Sequence, residues 1–87
     1  MLELSTGYLA SRRSDVAALK QALSTNNFEV IERLIHKTKG TAGGYGFEKL
    51  GSIAKELELA AKSKDPSKSQ HLISEIDSYL KRVQIQT

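Results

Sequence analysis

His36, Lys39, Gly40 and Gly43 are the residues whose types and spacing could do chemistry in this chain. At about 100° per residue they share one face of a helix, with Lys39 one turn beyond His36. An exposed imidazole is mostly neutral at pH 7, so one ring nitrogen keeps a free lone pair. That nitrogen is a competent nucleophile toward phosphorus. An ammonium one turn away can bind the equatorial oxygens of a phosphoryl group, both in the transition state and on a phosphorylated ring. The two glycines contribute an absence. Each glycine inside a helix costs up to ~1 kcal/mol relative to alanine, so their presence on an exposed face calls for a gain elsewhere. Lacking a Cβ, they let another surface come close. Glu29 and Glu32 lie on the same face. No base, metal cage or enclosed pocket is legible beside the imidazole, so the group reads as half an active site whose other half is on a partner.

The elements that must position these residues follow from apolar periodicity. The helix carrying His36 has Phe28, Ile31, Leu34, Ile35, Thr38 and Ala42 at helical spacing, with Asn27 as its N-cap and Glu29 in its first turn. Its stripe centres near Ile31, Ile35 and Ala42, and His36 lies roughly 140° from that centre, toward solvent. The helix is expected to dissolve at Gly43-Gly44. A first helix, from about Gly7 to Ser24, carries Tyr8, Leu9, Val16, Leu19 and Leu23 and is broken by Thr25-Asn26-Asn27. A third begins near Phe47 and repeats the stripe with Leu50, Ile53, Ala54, Leu57, Ala60 and Ala61. Asp65-Pro66, an N-cap followed by proline at the first helical position, opens a fourth helix that buries Leu72, Ile73, Ile76, Tyr79, Leu80 and Val83. The expected fold is all-α: one domain over residues 1–87, an antiparallel up-and-down four-helix bundle.

Composition agrees and excludes much else. The chain has 87 residues, 39% of them hydrophobic, with no Trp and only 6% aromatic. Leu, Ala and Ile dominate, a helix-former's core. Zero Cys removes disulfides, thiolate-bound zinc, iron–sulfur clusters and thiol catalysis together. No apolar run approaches the ~20 residues of a membrane span and no signal peptide opens the chain, so a cytoplasmic protein without membrane association is expected. Thirteen Lys and Arg against ten Asp and Glu give a net charge of +3, with acids interleaved almost throughout. A nucleic-acid binder concentrates its positive charge on one face or in a tail. A small basic helical nucleic-acid-binding module is therefore the alternative function, motivated by a pI near 9.3 but lacking a basic face and any helix-turn-helix spacing.

The run His36-Lys37-Thr38-Lys39-Gly40-Thr41-Ala42-Gly43-Gly44-Tyr45-Gly46-Phe47 resembles the signature of histidine-containing phosphotransfer (HPt) domains of bacterial phosphorelays. That pattern is a His, a Lys three on, a Gly directly after it and a further Gly beyond. The flanks, Tyr8-Leu9 with Arg12-Arg13 and Asp15-Val16 upstream and Leu50 through Leu57 downstream, extend the resemblance over nearly the whole chain. The resemblance implies that His36 takes a phosphoryl group on Nε2 from an aspartyl phosphate of a response-regulator receiver domain and passes it to another receiver. Lys39 matches the family's phosphate-stabilising lysine and Gly40 its docking glycine, with Glu32 and Gly43 as further partner-docking positions. The implied partners are receiver domains, with a hybrid sensor kinase a further possibility. The implied protein is a monomeric carrier without cofactor or ATP-dependent kinase activity, the Mg²⁺ belonging to the receiver.

Other readings of the remaining residues are bland. His71 has no comparable neighbours and belongs at the rim or in solvent. Gly44-Tyr45-Gly46 lacks a preceding strand and the third glycine of a dinucleotide loop, and Gly40 to Lys49 lacks the ending of a phosphate-binding P-loop. Two His on separate helices with no Cys do not make a metal site. Tyr45 and Phe47 read as a packed turn between the second and third helices. Arg12 falls within an apolar stripe, where it snorkels or pairs with a carboxylate that the sequence does not identify. An opening Met and the lack of a linker lean toward a free-standing protein.

Overall fold

Asn27 and Asp65 start helices as their side chains allow. Asn27 Oδ1 accepts from the Val30 amide at 3.4 Å, and Asp65 Oδ1 accepts from the Lys68 amide at 3.1 Å. The computed structural model describes the backbone of residues 2–85 and the side chains of residues 7–82. It contains α1 (Leu2–Ser24), α2 (Phe28–Thr41), a 3-10 turn at Gly43–Tyr45, α3 (Glu48–Lys62) and α4 (Pro66–Ile85). Among the described residues there is no strand. Each of α1 and α3 packs against both α2 and α4, so the four helices close into a bundle.

Three left-handed residues follow α1, the 3-10 turn and α3. Asn26 (φ 55°), Gly46 (φ 86°) and Lys64 (φ 56°) each follow a helix end. After α1, the Asn27 amide donates to Ala22 O at 2.8 Å and the Asn26 amide to Leu23 O at 2.9 Å; after α3, Asp65 donates to Ala60 O and Lys64 to Ala61 O, both at 3.0 Å. These paired bonds satisfy carbonyls that the helix leaves free. Gly46 reverses the chain the same way, with Phe47 N bonded to Ala42 O at 2.9 Å.

The core is built largely from the stripes read from the sequence, with Leu9, Leu23, Leu34 and Tyr79 half-buried against it and Ala22 added to it. Val16 and Leu19 from α1, Ile31 and Ile35 from α2, Leu50, Ala54 and Leu57 from α3, and Ile73, Ile76 and Leu80 from α4 are all buried. Each such Leu or Ile stabilises the fold by about 1.5–3 kcal/mol. Polar members join them: Thr38 on α2 and Arg12 on α1 are buried as well. Arg12 Nε lies 3.0 Å from Asp15 Oδ2, an ion-pair distance without hydrogen-bond alignment, and its guanidinium sits 4.7 Å from the centre of the Tyr8 ring.

Two boundaries differ from expectation, while α3 begins beside Phe47 as expected. α1 begins at Leu2, five residues before Gly7, because a single exposed glycine with open space around it weakens a helix without ending it. α2 stops at Thr41 and Gly43 belongs to the 3-10 turn, so only Gly40 is a helix-interior glycine of the His36 face. α3 starts at Glu48, with Phe47 as its cap residue. The side chain of Val83, expected in the α4 stripe, lies outside the described residues.

Candidate functional site

α2 presents His36 on the side opposite its buried stripe, and the imidazole is 70% exposed. Lys39, Gly40 and Gly43 are exposed around it, while Glu32 is half-buried. Nothing lies within 4 Å of where a Cβ would stand at Gly40 or Gly43, so the approach to this face is open. Glu29, Glu32, Arg33, His36 and Glu58 line a shallow depression of about 340 Å³ beside the ring.

The structure corrects one expectation: a carboxylate does stand beside the imidazole. Glu58 on α3 places Oε2 3.0 Å from His36 Nδ1 and Oε1 2.7 Å from Lys39 Nζ. Its side chain is only 9% exposed, whereas that of Lys39 is 37% exposed. The sequence carries a signal for it. Glu58 falls on the edge of the α3 stripe, four residues after Ala54 and three before Ala61, where a carboxylate must find a partner or remain unpaired in the interior. It also lies seven residues after Gly51, at which α3 runs close enough to α2 for an added Cβ to meet Ala42 Cβ at 3.6 Å. That close approach brings a carboxylate on one helix within reach of a ring on the other.

The electrostatics follow. The hydrogen bond from Lys39 is the largest influence on the Glu58 carboxyl and lowers its pKa below the ordinary 4.5; burial pushes the other way, and the contact with His36 lowers it further. An ionised carboxylate only accepts hydrogen bonds, so the 3.0 Å contact requires the hydrogen on Nδ1. Nε2 then carries the lone pair. Lys39 keeps further ammonium hydrogens for an incoming anion.

The other candidates fall elsewhere. His71 is exposed and sits 3.4 Å from Glu75 on its own helix. Tyr45 and Phe47 do pack the turn, through a residue the sequence left unassigned to it. Tyr8 of α1 stacks on Tyr45 at 4.3 Å and on Phe47 at 5.9 Å between ring centroids, and its hydroxyl is 2.9 Å from that of Thr41. This stack ties the glycine-containing turn to α1. Among the described residues, no group of three or more His, Asp or Glu side chains is placed to hold a metal ion, and no helix is long and apolar enough to cross a membrane.

Four packed helices and an exposed imidazole, backed by a carboxylate and flanked by a lysine, define a histidine phosphotransfer module. A family model for the Hpt domain matches residues 3–86, and the chain belongs to that family, whose role is histidine phosphotransfer in phosphorelays. Comparison with curated proteins returns no match, and neither does comparison with solved structures.

Proposed function

We propose that this protein is a phosphoryl carrier that receives and returns its group at Nε2 of His36, exchanging it with aspartyl phosphates on response-regulator receiver domains. One observation carries the reading: Glu58 engages Nδ1 of a ring that is 70% exposed, which leaves the lone pair on Nε2. In the forward step the Nε2 lone pair attacks phosphorus and the bond from phosphorus to the aspartyl oxygen breaks, its electrons returning to the aspartate. Lys39 stabilises the equatorial oxygens as charge develops there. Gly40 and Gly43 leave room for the receiver, which supplies the Mg²⁺. In this reading the carrier works in the cytoplasm as a monomer, alongside receivers and the sensor kinases that feed them.

Incubation with phosphorylated receiver domains tests it. The wild type gains an acid-labile, alkali-stable phosphate, and His36→Gln gains none while keeping its helix content. ATP alone leaves the protein unlabelled. Labelling that persists in His36→Gln, or that moves to His71, overturns the assignment.

A further inference from the structure

The contact between Glu58 and His36 bears on the phosphorylated protein as well as on the resting one. We infer that Glu58 is a positioning residue for the outward transfer: it keeps the proton on Nδ1 after Nε2 is phosphorylated, so that the carrier holds its cargo as a phosphoimidazolium. This rests on the proposal that His36 is the acceptor.

The argument is a proton count. In the resting ring Nδ1 bears the hydrogen, donated to Oε2 of Glu58 at 3.0 Å. Attack through Nε2 forms the P–N bond and breaks the P–O bond of the acyl phosphate, and no proton moves. The ring then carries a positive charge. If it loses the Nδ1 proton, the P–N bond can afterwards break only by expelling an imidazolate, a strongly basic anion. If it keeps the proton, the leaving group is neutral imidazole and the phosphoryl group departs readily to the next carboxylate. The outcome depends on what faces Nδ1.

The surroundings favour retention. Glu58 is nine-tenths buried, and a hydrogen bond from a cation to a carboxylate in such a place is roughly twice as strong as one between neutral groups. The other charged groups around the ring are Glu29, Glu32 and Arg33 of α2, which line the depression with it, and Lys39, which is bound to the same carboxylate. From α3, Lys62 acts on Glu58 as a second, more distant cation. Of these groups, Glu58 is the one in hydrogen-bond contact with Nδ1. Lys39 bonds to the opposite oxygen of that carboxylate, which steadies the oxygen facing the ring.

The test needs no receiver, so it is independent of whether the right partner is found. The full chain, labelled with ¹⁵N in histidine, is phosphorylated chemically with phosphoramidate. The Nδ1 chemical shift of phosphorylated His36 is followed with rising pH, together with loss of the ³¹P signal. In the wild type Nδ1 keeps the shift of a protonated nitrogen to about pH 8, above the range of an ordinary imidazole. In Glu58→Gln, which preserves shape but not charge, Nδ1 becomes bare about one pH unit or more lower, and the phosphoryl group survives roughly tenfold longer at neutral pH. A bare Nδ1 in the phosphorylated wild type at pH 7 overturns the inference without reference to any variant, and so does an unchanged shift and lifetime in folded Glu58→Gln. Failure of all receivers to exchange phosphate with His36, with these signatures intact, counts against the relay reading instead.

Discussion

Lys39 and Glu58 are joined at 2.7 Å across the groove between α2 and α3, and the carboxylate of that pair also holds His36. A lysine read from sequence as fully solvated would contribute little to stability. Here its removal leaves a nine-tenths buried carboxylate with a single partner. Lys39→Ala is therefore expected to lower stability by about 1 kcal/mol, and to slow transfer roughly 10–1,000-fold. In a Glu58→Gln background the same substitution should leave stability within about 0.5 kcal/mol, because no charge remains to be orphaned. Urea unfolding of the four proteins in this cycle checks the coupling. Equal effects of Lys39→Ala in both backgrounds would show that the pair stabilises nothing.

The face of His36 was legible because it is a matter of local period: Ile31, Ile35 and Ala42 fix the buried side of α2, and His36, Lys39 and Gly40 must then lie opposite. The N-caps Asn27 and Asp65 were legible for the same reason, since each acts within three residues. Glu58 was not. Its partner lies 22 residues away, and which residues meet between two helices depends on how closely the helices approach, here at Gly51 and Ala42. Tyr8 escaped likewise: its apolar spacing marks it as core, but nothing local says that it stacks on Tyr45 and Phe47. The early start of α1 is not legible because Gly7 reads as a boundary, whereas a single exposed glycine is only a weak point in a helix.

Lys64 and Gly46 give opposite expectations from the same backbone conformation. Both have positive φ, 56° and 86° respectively. A side chain in that region is strained, so Lys64→Gly should raise stability by up to about 1 kcal/mol and Gly46→Ala should lower it by about 1 kcal/mol. Thermal melts of the two single variants decide this. Transfer by Lys64→Gly should be unchanged, as the substitution lies at the far end of α3 from the turn that carries Gly46.

Acid should remove the contribution of Glu58 in a defined direction. Its folded pKa is below the ordinary 4.5, first through the hydrogen bond from Lys39. A carboxyl depressed on folding contributes its full stability above the ordinary value and loses it as pH falls through the lower folded one. The stability gap between wild type and Glu58→Gln should thus hold steady from about pH 7 to just above the ordinary carboxylate range, then narrow toward about pH 3. Denaturant midpoints at a series of pH values measure that gap, and a gap indifferent to pH would remove the charge from the account.

Gly40 separates function from stability by sign. It is the one glycine of the His36 face inside α2; its φ is not positive, and nothing lies within 4 Å of an added Cβ. Alanine or glutamine there is a better helix former in open space, so Gly40→Ala and Gly40→Gln should each stabilise the isolated protein by up to about 1 kcal/mol. On the proposal that His36 accepts at Nε2, the same open space is where a receiver passes, four residues on along the helix from the ring. Glutamine fills it with a flexible side chain and alanine with a single methyl, so phosphoryl transfer from a receiver should fall steeply in Gly40→Gln and modestly in Gly40→Ala. Chemical phosphorylation by phosphoramidate, a reagent small enough to avoid the obstruction, should proceed at nearly the wild-type rate in both. Melting temperature, receiver transfer and phosphoramidate labelling on the same two variants therefore move up, down and not at all. A loss of labelling by the small reagent would mean that the substitutions disturb His36 itself, and the open face would no longer explain the glycine.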